Sequence, residues 1–190
     1  PITPGAINNT LPVRKDMVRY YSECLEQNGY CITPGHIAVG ASVYVAVSRQ
    51  AAVKEAGPYM RYFVHTLFGL GIISIGGAAQ GRESGYRPDA AYDYIRPENR
   101  EGFFKASEGF RSITYEDLEH SERVCWGSPD EVTNSLINLS DELGAGTLLL
   151  NFNQGAMPQE LFMKNLERFG KEVLPALKAH NVQAMPVAAD

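Results

Sequence analysis

The sequence lacks the features that would indicate a membrane protein or a nucleic-acid-binding protein. No apolar run approaches the roughly 20 residues that cross a bilayer, and the first five residues lack the charged and apolar regions of a signal peptide. The 17 lysines and arginines are dispersed, and the formal net charge is −5, which argues against binding to phosphate backbones. We therefore expect a cytoplasmic protein with no membrane or nucleic-acid partner.

The sequence also lacks the common catalytic and metal-binding motifs. Cys24, Cys31 and Cys125 form no C-x-x-C pair, and the four histidines have no ligand spacing with Asp, Glu or Cys, so no metal site is expected. The glycine-rich stretch from 69 to 81 contains neither a G-x-G-x-x-G that follows a strand nor a Walker lysine. A G-x-S-x-G nucleophile elbow is absent too, so no catalytic residue is assigned by motif.

The chain instead contains helical patterns that alternate with apolar strand patterns. Residues 12 to 28 have helical spacing and end at an Asn-Gly stop signal. Residues 37 to 47 are rich in β-branched residues and almost without charge, which predicts a strand buried on both faces. A second helix is predicted from Arg49 to Phe68, with a kink or a break at Gly57-Pro58.

The last third of the chain has the clearest signals. A short strand at 123 to 127 precedes Ser128 and Glu131, which together predict a capping box and a helix. Glycines at 144 and 146 end that helix, and residues 147 to 152 predict a second buried strand. A strand, a helix and a strand within about 30 residues indicate a parallel βαβ unit. A further helix is predicted from Pro158 to Leu177.

Residues 69 to 122 lose this periodicity and are rich in glycine and aromatic residues. The stretch is too long for an ordinary connection between two elements, so it predicts short helices and a covering loop or lid. We expect a single domain over residues 1 to 190, with 69 to 122 as an insertion within it.

Several of these segments, in this order and spacing, resemble luciferase-like flavin-dependent monooxygenases. The resemblance spans most of residues 12 to 178 and is carried by Val43-Tyr44-Val45-Ala46 followed by Ala51-Ala52, by the residues from Gly127 to Val132, by the turn and strand from Gly144 to Leu150, by Gly155-Ala156-Met157-Pro158, and by the residues from Glu172 to Leu177.

This resemblance implies an α/β fold that is the C-terminal portion of a TIM (β/α)8 barrel, about strands six to eight with their helices. It also implies an enzyme that oxidises a small organic substrate with dioxygen and reduced FMN, supplied by a separate flavin reductase. A complete barrel needs about 250 residues, and much of the family's flavin pocket lies before residue 1. The open edge of the sheet must be covered by a complementing chain, by another copy in a homo-oligomer, or by strands from 69 to 122.

The candidate pocket residues follow from the rule that barrel sites lie at the carboxyl ends of the strands. These ends carry Tyr44, Trp126, Ser128 and Asn153, together with Asn151 and Met157, while Tyr86 and Arg87 in the long loop are placed to cover a pocket. Structural roles compete with each assignment: Trp126 as barrel core, Ser128 as a helix cap, and Tyr86-Arg87 as a surface turn.

Three functions remain open from the sequence. The first is part of a flavin-dependent monooxygenase, and the second is a truncated, non-catalytic barrel protein with a flavin-binding or structural role. The third is a deazaflavin-dependent oxidoreductase, which would transfer hydride without oxygen. The catalytic residues and the substrate are not identified.

Overall fold

The computed structural model describes residues 1–4, 10–66, 112–120, 124–153 and 155–185. Its elements, in chain order, are α1 (Leu11–Gln27), β1 (Ala38–Val45), α2 (Arg49–Phe63), α3 (Tyr115–His120), β2 (Val124–Gly127), α4 (Pro129–Leu143), β3 (Thr147–Asn151), α5 (Gln159–Arg168), a π-helical turn (Phe169–Val173) and α6 (Leu174–Ala179). Each helix and strand predicted outside 69 to 122 is present in the described residues, and α2 continues through Pro58 rather than breaking there.

The three strands form one parallel sheet in the order β2-β1-β3. The carboxyl half of β1 pairs with β2, with Tyr44 beside Trp126, and its amino half pairs with β3, with Ser42 beside Asn151. The parallel α/β class is therefore confirmed. Strands six to eight of a barrel would lie side by side in chain order, whereas here β1 lies between β2 and β3. At eight residues, β1 is the longest strand and is long enough to pair with both shorter ones.

Each face of the sheet packs against different helices. Tyr44, Ala46 and Trp126 project to one side, the Tyr44 face, where α2 and Leu118 of α3 cover them. Val43, Val45 and Cys125 project to the other side, the Cys125 face, where α4 and the π-helical turn cover them. The amino end of β1 packs against α1 through a third cluster that contains Val18, Ile37 and Val39.

Strand β3 is not buried as predicted. Thr147, Leu149 and Asn151 are exposed and the two leucines between them are only partly buried, with 54% of Leu149 accessible. Among the described strands it pairs only with β1, and Gly40, which lies opposite Leu149, is exposed too. The apolar pattern TLLLN predicted burial, but the strand occupies an edge of the sheet.

The signals at the ends of α4 are confirmed in atomic detail. The Ser128 hydroxyl accepts a hydrogen bond from the Glu131 amide at 3.3 Å, and the Glu131 carboxylate accepts one from the Ser128 amide at 2.7 Å. At the other end Gly144 has a φ of +58°, the left-handed conformation that glycine adopts without strain. These contacts fix where the chain leaves β2 and where it enters β3.

Most of the predicted insertion lies outside the described residues, as do Tyr86 and Arg87. Within it the structure describes Ser112 to His120, which include the short helix α3 packed against α2. No helix in the described part of the chain is both long and apolar enough to cross a membrane.

Candidate functional site at the carboxyl ends of the strands

The carboxyl ends of the strands lie together because all three strands are parallel. β1 ends at Val45, β2 at Gly127 and β3 at Asn151. Open parallel sheets bind their ligands at this end, where loops and helix starts meet. Tyr44, Trp126, Ser128 and Asn153 all lie within two residues of a strand end, so this end of the sheet is the candidate site.

Tyr44 and Trp126 form the aromatic centre of this region. They are register partners on neighbouring strands, and their rings meet edge-to-face with centroids 6.3 Å apart. Met157, from the loop after β3, joins the same apolar cluster. The structure thus brings together three of the predicted residues. Each aromatic residue is only 1% exposed, so the pair is packed as core.

The Tyr44 hydroxyl lies against a carboxylate. It donates a hydrogen bond of 2.9 Å to Oε2 of Glu55, which projects from α2. Burial, followed by the hydrogen bond and the negative charge of Glu55, raises the pKa of Tyr44 above its ordinary value of 10.0. The phenol therefore stays protonated and is held in one orientation.

Two polar atoms on the Tyr44 face are buried without a hydrogen-bond partner in the described part of the chain. They are Oγ of Ser42 and Nε1 of Trp126. Buried polar groups normally find a partner, and leaving one unsatisfied costs about 1–3 kcal/mol. These atoms are the unused donors of the region, but the surrounding side chains enclose both, and a ligand reaches neither without repacking.

Arg49 fastens the start of α2 to the edge of β2. Its guanidinium donates to the carbonyl oxygens of Val124 and Trp126, both at 3.1 Å. It also donates to the carbonyls of Glu119 at 2.9 Å and Leu118 at 3.3 Å, which belong to α3. Burial lowers the pKa of Arg49 from its ordinary value. This arginine makes four hydrogen bonds to main-chain carbonyls, and no pattern in the sequence indicated it.

Asn165 of α5 binds backbone groups of β1. These groups belong to residues beyond Ser42, the last residue of β1 that pairs with β3. The Asn165 side-chain oxygen accepts a hydrogen bond from the Val45 amide at 2.8 Å, and its nitrogen donates to the Val43 carbonyl at 3.1 Å. Arg168, one turn later, donates to the Val45 carbonyl at 3.2 Å. Asn165 is almost fully buried. One signal was available in the sequence, because Asn165 interrupts the apolar helical stripe of Leu161, Phe162 and Phe169.

An open groove begins beside this region, at the first turns of α2. Its volume is about 690 Å³, within the range of small-molecule sites, and its walls are partly polar and partly apolar. The lining residues are Ser48, Gln50, Ala51, Val53, Lys54, Pro58, Tyr115 and Glu119. None of the predicted residues that the structure describes lines this groove, since they belong to the strand ends and the groove belongs to α2 and α3.

The other predicted residues have separate positions. Ser128 is the N-cap of α4 and its hydroxyl is engaged with the Glu131 amide. Asn153 is exposed in the loop that follows β3. Tyr86 and Arg87 lie outside the described residues. No cluster of three or more metal-ligating side chains occurs in the described ranges.

Two solved structures resemble the chain over most of its length. One is the monooxygenase RslO1 from Streptomyces bottropensis, with 18% sequence identity and a TM-score of 0.52, where the match covers 92% of this chain and 40% of that one. The other is a type II Baeyer-Villiger monooxygenase, the oxygenating constituent of the 3,6-diketocamphane monooxygenase from the CAM plasmid of Pseudomonas putida. It was solved in complex with FMN and has 23% identity and a TM-score of 0.54, with 93% of this chain and 42% of that one covered.

The chain shares its fold with monooxygenases. This likeness confirms the resemblance that the motifs between 43 and 177 predicted from the sequence. The chain spans only 40% and 42% of the lengths of these two structures. No protein-family model matches the chain, and no curated protein matches it in sequence.

The strand ends can be tested for their fit to FMN. An FMN site requires open surface for the ring and cationic or amide donors for the phosphate. Tyr44 and Trp126 are packed shut, and Arg49 and Arg168 are bound to main-chain carbonyls. The residues described at this end of the sheet therefore do not form a complete FMN site by themselves.

Proposed function

We propose that this chain is part of a flavin-dependent monooxygenase that oxidises a small organic substrate with dioxygen and reduced FMN. The observation that carries the proposal is the likeness over 93% of the chain to a Baeyer-Villiger monooxygenase solved with FMN. The motifs that resemble luciferase-like monooxygenases support it independently. In this proposal a separate reductase supplies the reduced flavin, and further residues beyond those described complete a barrel.

Within this proposal, the strand ends contribute the floor of the site rather than its reactive groups. Tyr44, Trp126 and Met157 form a rigid apolar platform, and Glu55 fixes the Tyr44 hydroxyl. Asn153 is exposed at the same end of the sheet and is the predicted polar residue free to face a ligand. Tyr86 and Arg87 are proposed to cover the pocket.

A second function, a non-catalytic barrel protein, is favoured by one specific observation. The two arginines described at the strand ends serve the main chain, and the aromatic pair is closed. A protein with this arrangement would keep the fold of the monooxygenases without their cofactor. Flavin binding separates the two functions.

The decisive experiment is an anaerobic titration of the purified chain with reduced FMN, with oxygen uptake measured after air is admitted. Intact mass and native mass are measured on the same sample. Stoichiometric binding with flavin-dependent oxygen uptake supports the monooxygenase. Hydride transfer with a deazaflavin in place of FMN, without oxygen uptake, would support the third function instead. A colourless chain that binds neither cofactor supports the non-catalytic protein.

A matched pair of variants tests the proposed platform. Tyr44→Phe removes the hydroxyl that Glu55 holds, whereas Tyr20→Phe removes one from a side chain on α1 that is 69% exposed. We expect only Tyr44→Phe to weaken FMN binding, because it removes the hydrogen bond to Glu55 that fixes the platform under the proposed site. Equal affinities for both variants would remove Tyr44 from the site.

A further inference from the structure

The stretch of chain that follows α6 crosses back over the end of α4. This stretch, His180 to Met185, is called the strap below, and it has neither helical nor strand conformation. A methyl group at Gly144, just after α4, would lie 2.5 Å from the amide nitrogen of Met185, closer than real side chains come. The backbone of the strap therefore passes directly over Gly144. A glycine is needed there both for this space and for its φ of +58°.

Side-chain contacts attach the strap to the molecule at both of its ends. At its first residue, Nε2 of His180 lies 2.7 Å from Oδ1 of Asp141, near the end of α4. At its last residue, the Met185 side chain packs against the apolar cluster that contains Val18 and Leu143. The strap thus helps to close the amino end of the sheet, which is the end opposite to the candidate site.

The strap is held more lightly than the core that it covers. None of the residues between its two attachments, 181 to 184, is buried, and Asn181 and Gln183 are exposed. The side chains of His180 and Asp141 are 28% and 46% exposed, and ion pairs as accessible as this one stabilise a fold only weakly. Segments with few buried contacts open at a lower free energy than the core does.

We propose that the strap is a conformational device that opens as a unit while the sheet stays folded. The pair of His180 and Asp141 is its latch, and Met185 is its anchor. Opening exposes the apolar cluster at the amino end of β1 to water. This inference rests on the contacts of the strap and does not depend on the proposed function.

Three methionines of the wild-type chain can report this opening. Hydrogen peroxide converts accessible thioethers into sulfoxides, and peptide mass spectrometry measures the rate at each site. Met163 is 49% exposed and Met60 is 1% exposed, so the first gives the rate at an open surface and the second gives the rate through global unfolding. We expect Met185 to oxidise more slowly than Met163 and faster than Met60.

Variants of the latch test its role in the same assay. His180→Ala should raise the rate of Met185 oxidation by about twofold to fivefold, the range of a partly exposed ion pair, and leave the rate of Met60 unchanged. Asp141→Ala should have the same effect, and the double variant should add no further increase, because both changes remove one interaction. Lys178→Ala is the matched control, since this exposed basic residue lies two positions before His180.

A pair of glycine variants tests the path of the strap. Gly29, which follows α1, has a φ of +80° and open space where a methyl group would lie. Gly29→Ala and Gly144→Ala therefore both strain a left-handed backbone, but only the methyl group at 144 meets the strap. We expect only Gly144→Ala to raise the oxidation rate of Met185 relative to that of Met60, by at least as much as His180→Ala does.

Three results would overturn the proposal. Wild-type Met185 could oxidise at the rate of Met60, which would mean that the strap does not open separately, or at the rate of Met163, which would mean that it does not close. His180→Ala could leave the Met185 rate at the level of Lys178→Ala. His180→Ala could also raise the Met60 and Met185 rates equally, which would show that it weakens the whole fold.

Discussion

The two outer strands of the sheet treat their exposed backbone in opposite ways. β2 has four residues, all of them buried, and Arg49 occupies both of its outward carbonyls. β3 has five residues, of which three are exposed, and no charged side chain of its own. The chain therefore satisfies the outward carbonyls of its buried outer strand with a side chain of its own, and β3 is the more exposed of the two outer strands.

The largest expected effect comes from removing the side chain that continues the ladder of β1. Asn165→Leu leaves the Val45 amide and the Val43 carbonyl without partners in a buried position, which should lower the free energy of unfolding by about 2–4 kcal/mol. Urea denaturation followed by circular dichroism measures the change. Asn165→Asp should lose part of this energy, since its carboxylate accepts from Val45 but donates nothing to Val43.

Asn153→Leu is the matched control for Asn165→Leu, because Asn153 is exposed in the loop after β3. We expect its free energy of unfolding to stay within about 0.5 kcal/mol of the wild type. Similar losses for the two asparagine variants would show that Asn165 does not complete the ladder.

The next largest effect should come from replacing Arg49, which binds the outward carbonyls of β2. Arg49→Met removes hydrogen bonds to four carbonyls and should destabilise the fold by about 2–3 kcal/mol. Arg49→Lys should recover only part, because one ammonium cannot match the planar fork of a guanidinium. Arg19→Met serves as the control, since the ion pairs of Arg19 with Asp16 and Glu23 on α1 are exposed. A fully stable Arg49→Lys chain would contradict this account of the edge.

The helices and strands could be predicted from the sequence, whereas the contacts between distant residues could not. Local signals were sufficient for the elements, since Ser128, Glu131 and Gly144 form the cap and the stop through contacts between residues at most five apart. The contacts that determine strand order and site closure join distant residues: Asn165 reaches Val45 across 120 positions, and Arg49 reaches Trp126 across 77. No periodicity encodes such pairs.

The prediction that β3 is buried was wrong for a related reason. An apolar strand pattern gives the number of apolar positions but not the number of neighbouring strands, so Leu148, Leu149 and Leu150 predicted a buried strand where the fold has an edge. The structure places Tyr44, Trp126 and Met157 in one apolar cluster, and their role in a ligand site stays a prediction. The sequence missed the groove at the start of α2, because Lys54 and Glu119 lie on separate elements far apart in the chain.

A smaller effect is expected where β2 passes into α4. Ser128→Ala removes the acceptor for the Glu131 amide and should lower the free energy of unfolding by about 1 kcal/mol. Ser128→Asp should restore stability, since a carboxylate also caps helices. If Ser128 serves only as a cap, the two variants bind FMN equally. A selective loss of FMN binding in Ser128→Asp, without loss of stability, would instead assign Ser128 to the pocket.

The smallest effect is the pH dependence of stability that arises from Cys125 on β2. Burial raises the pKa of Cys125 on β2 from 9.0 to about 11, because the thiolate would lie in an apolar environment. The unfolded chain ionises first, so the stability that this thiol contributes is complete below pH 9 and is lost as the pH rises towards 11. Between pH 8 and pH 9.5 the loss should be about 0.8 kcal/mol, before Tyr44 contributes. Urea midpoints at the two pH values measure it, and Cys125→Ala should remove this part of the slope. If Cys125→Ala leaves the slope of stability against pH unchanged, the Cys125 thiol is not enclosed, and β2 is accessible to water in solution.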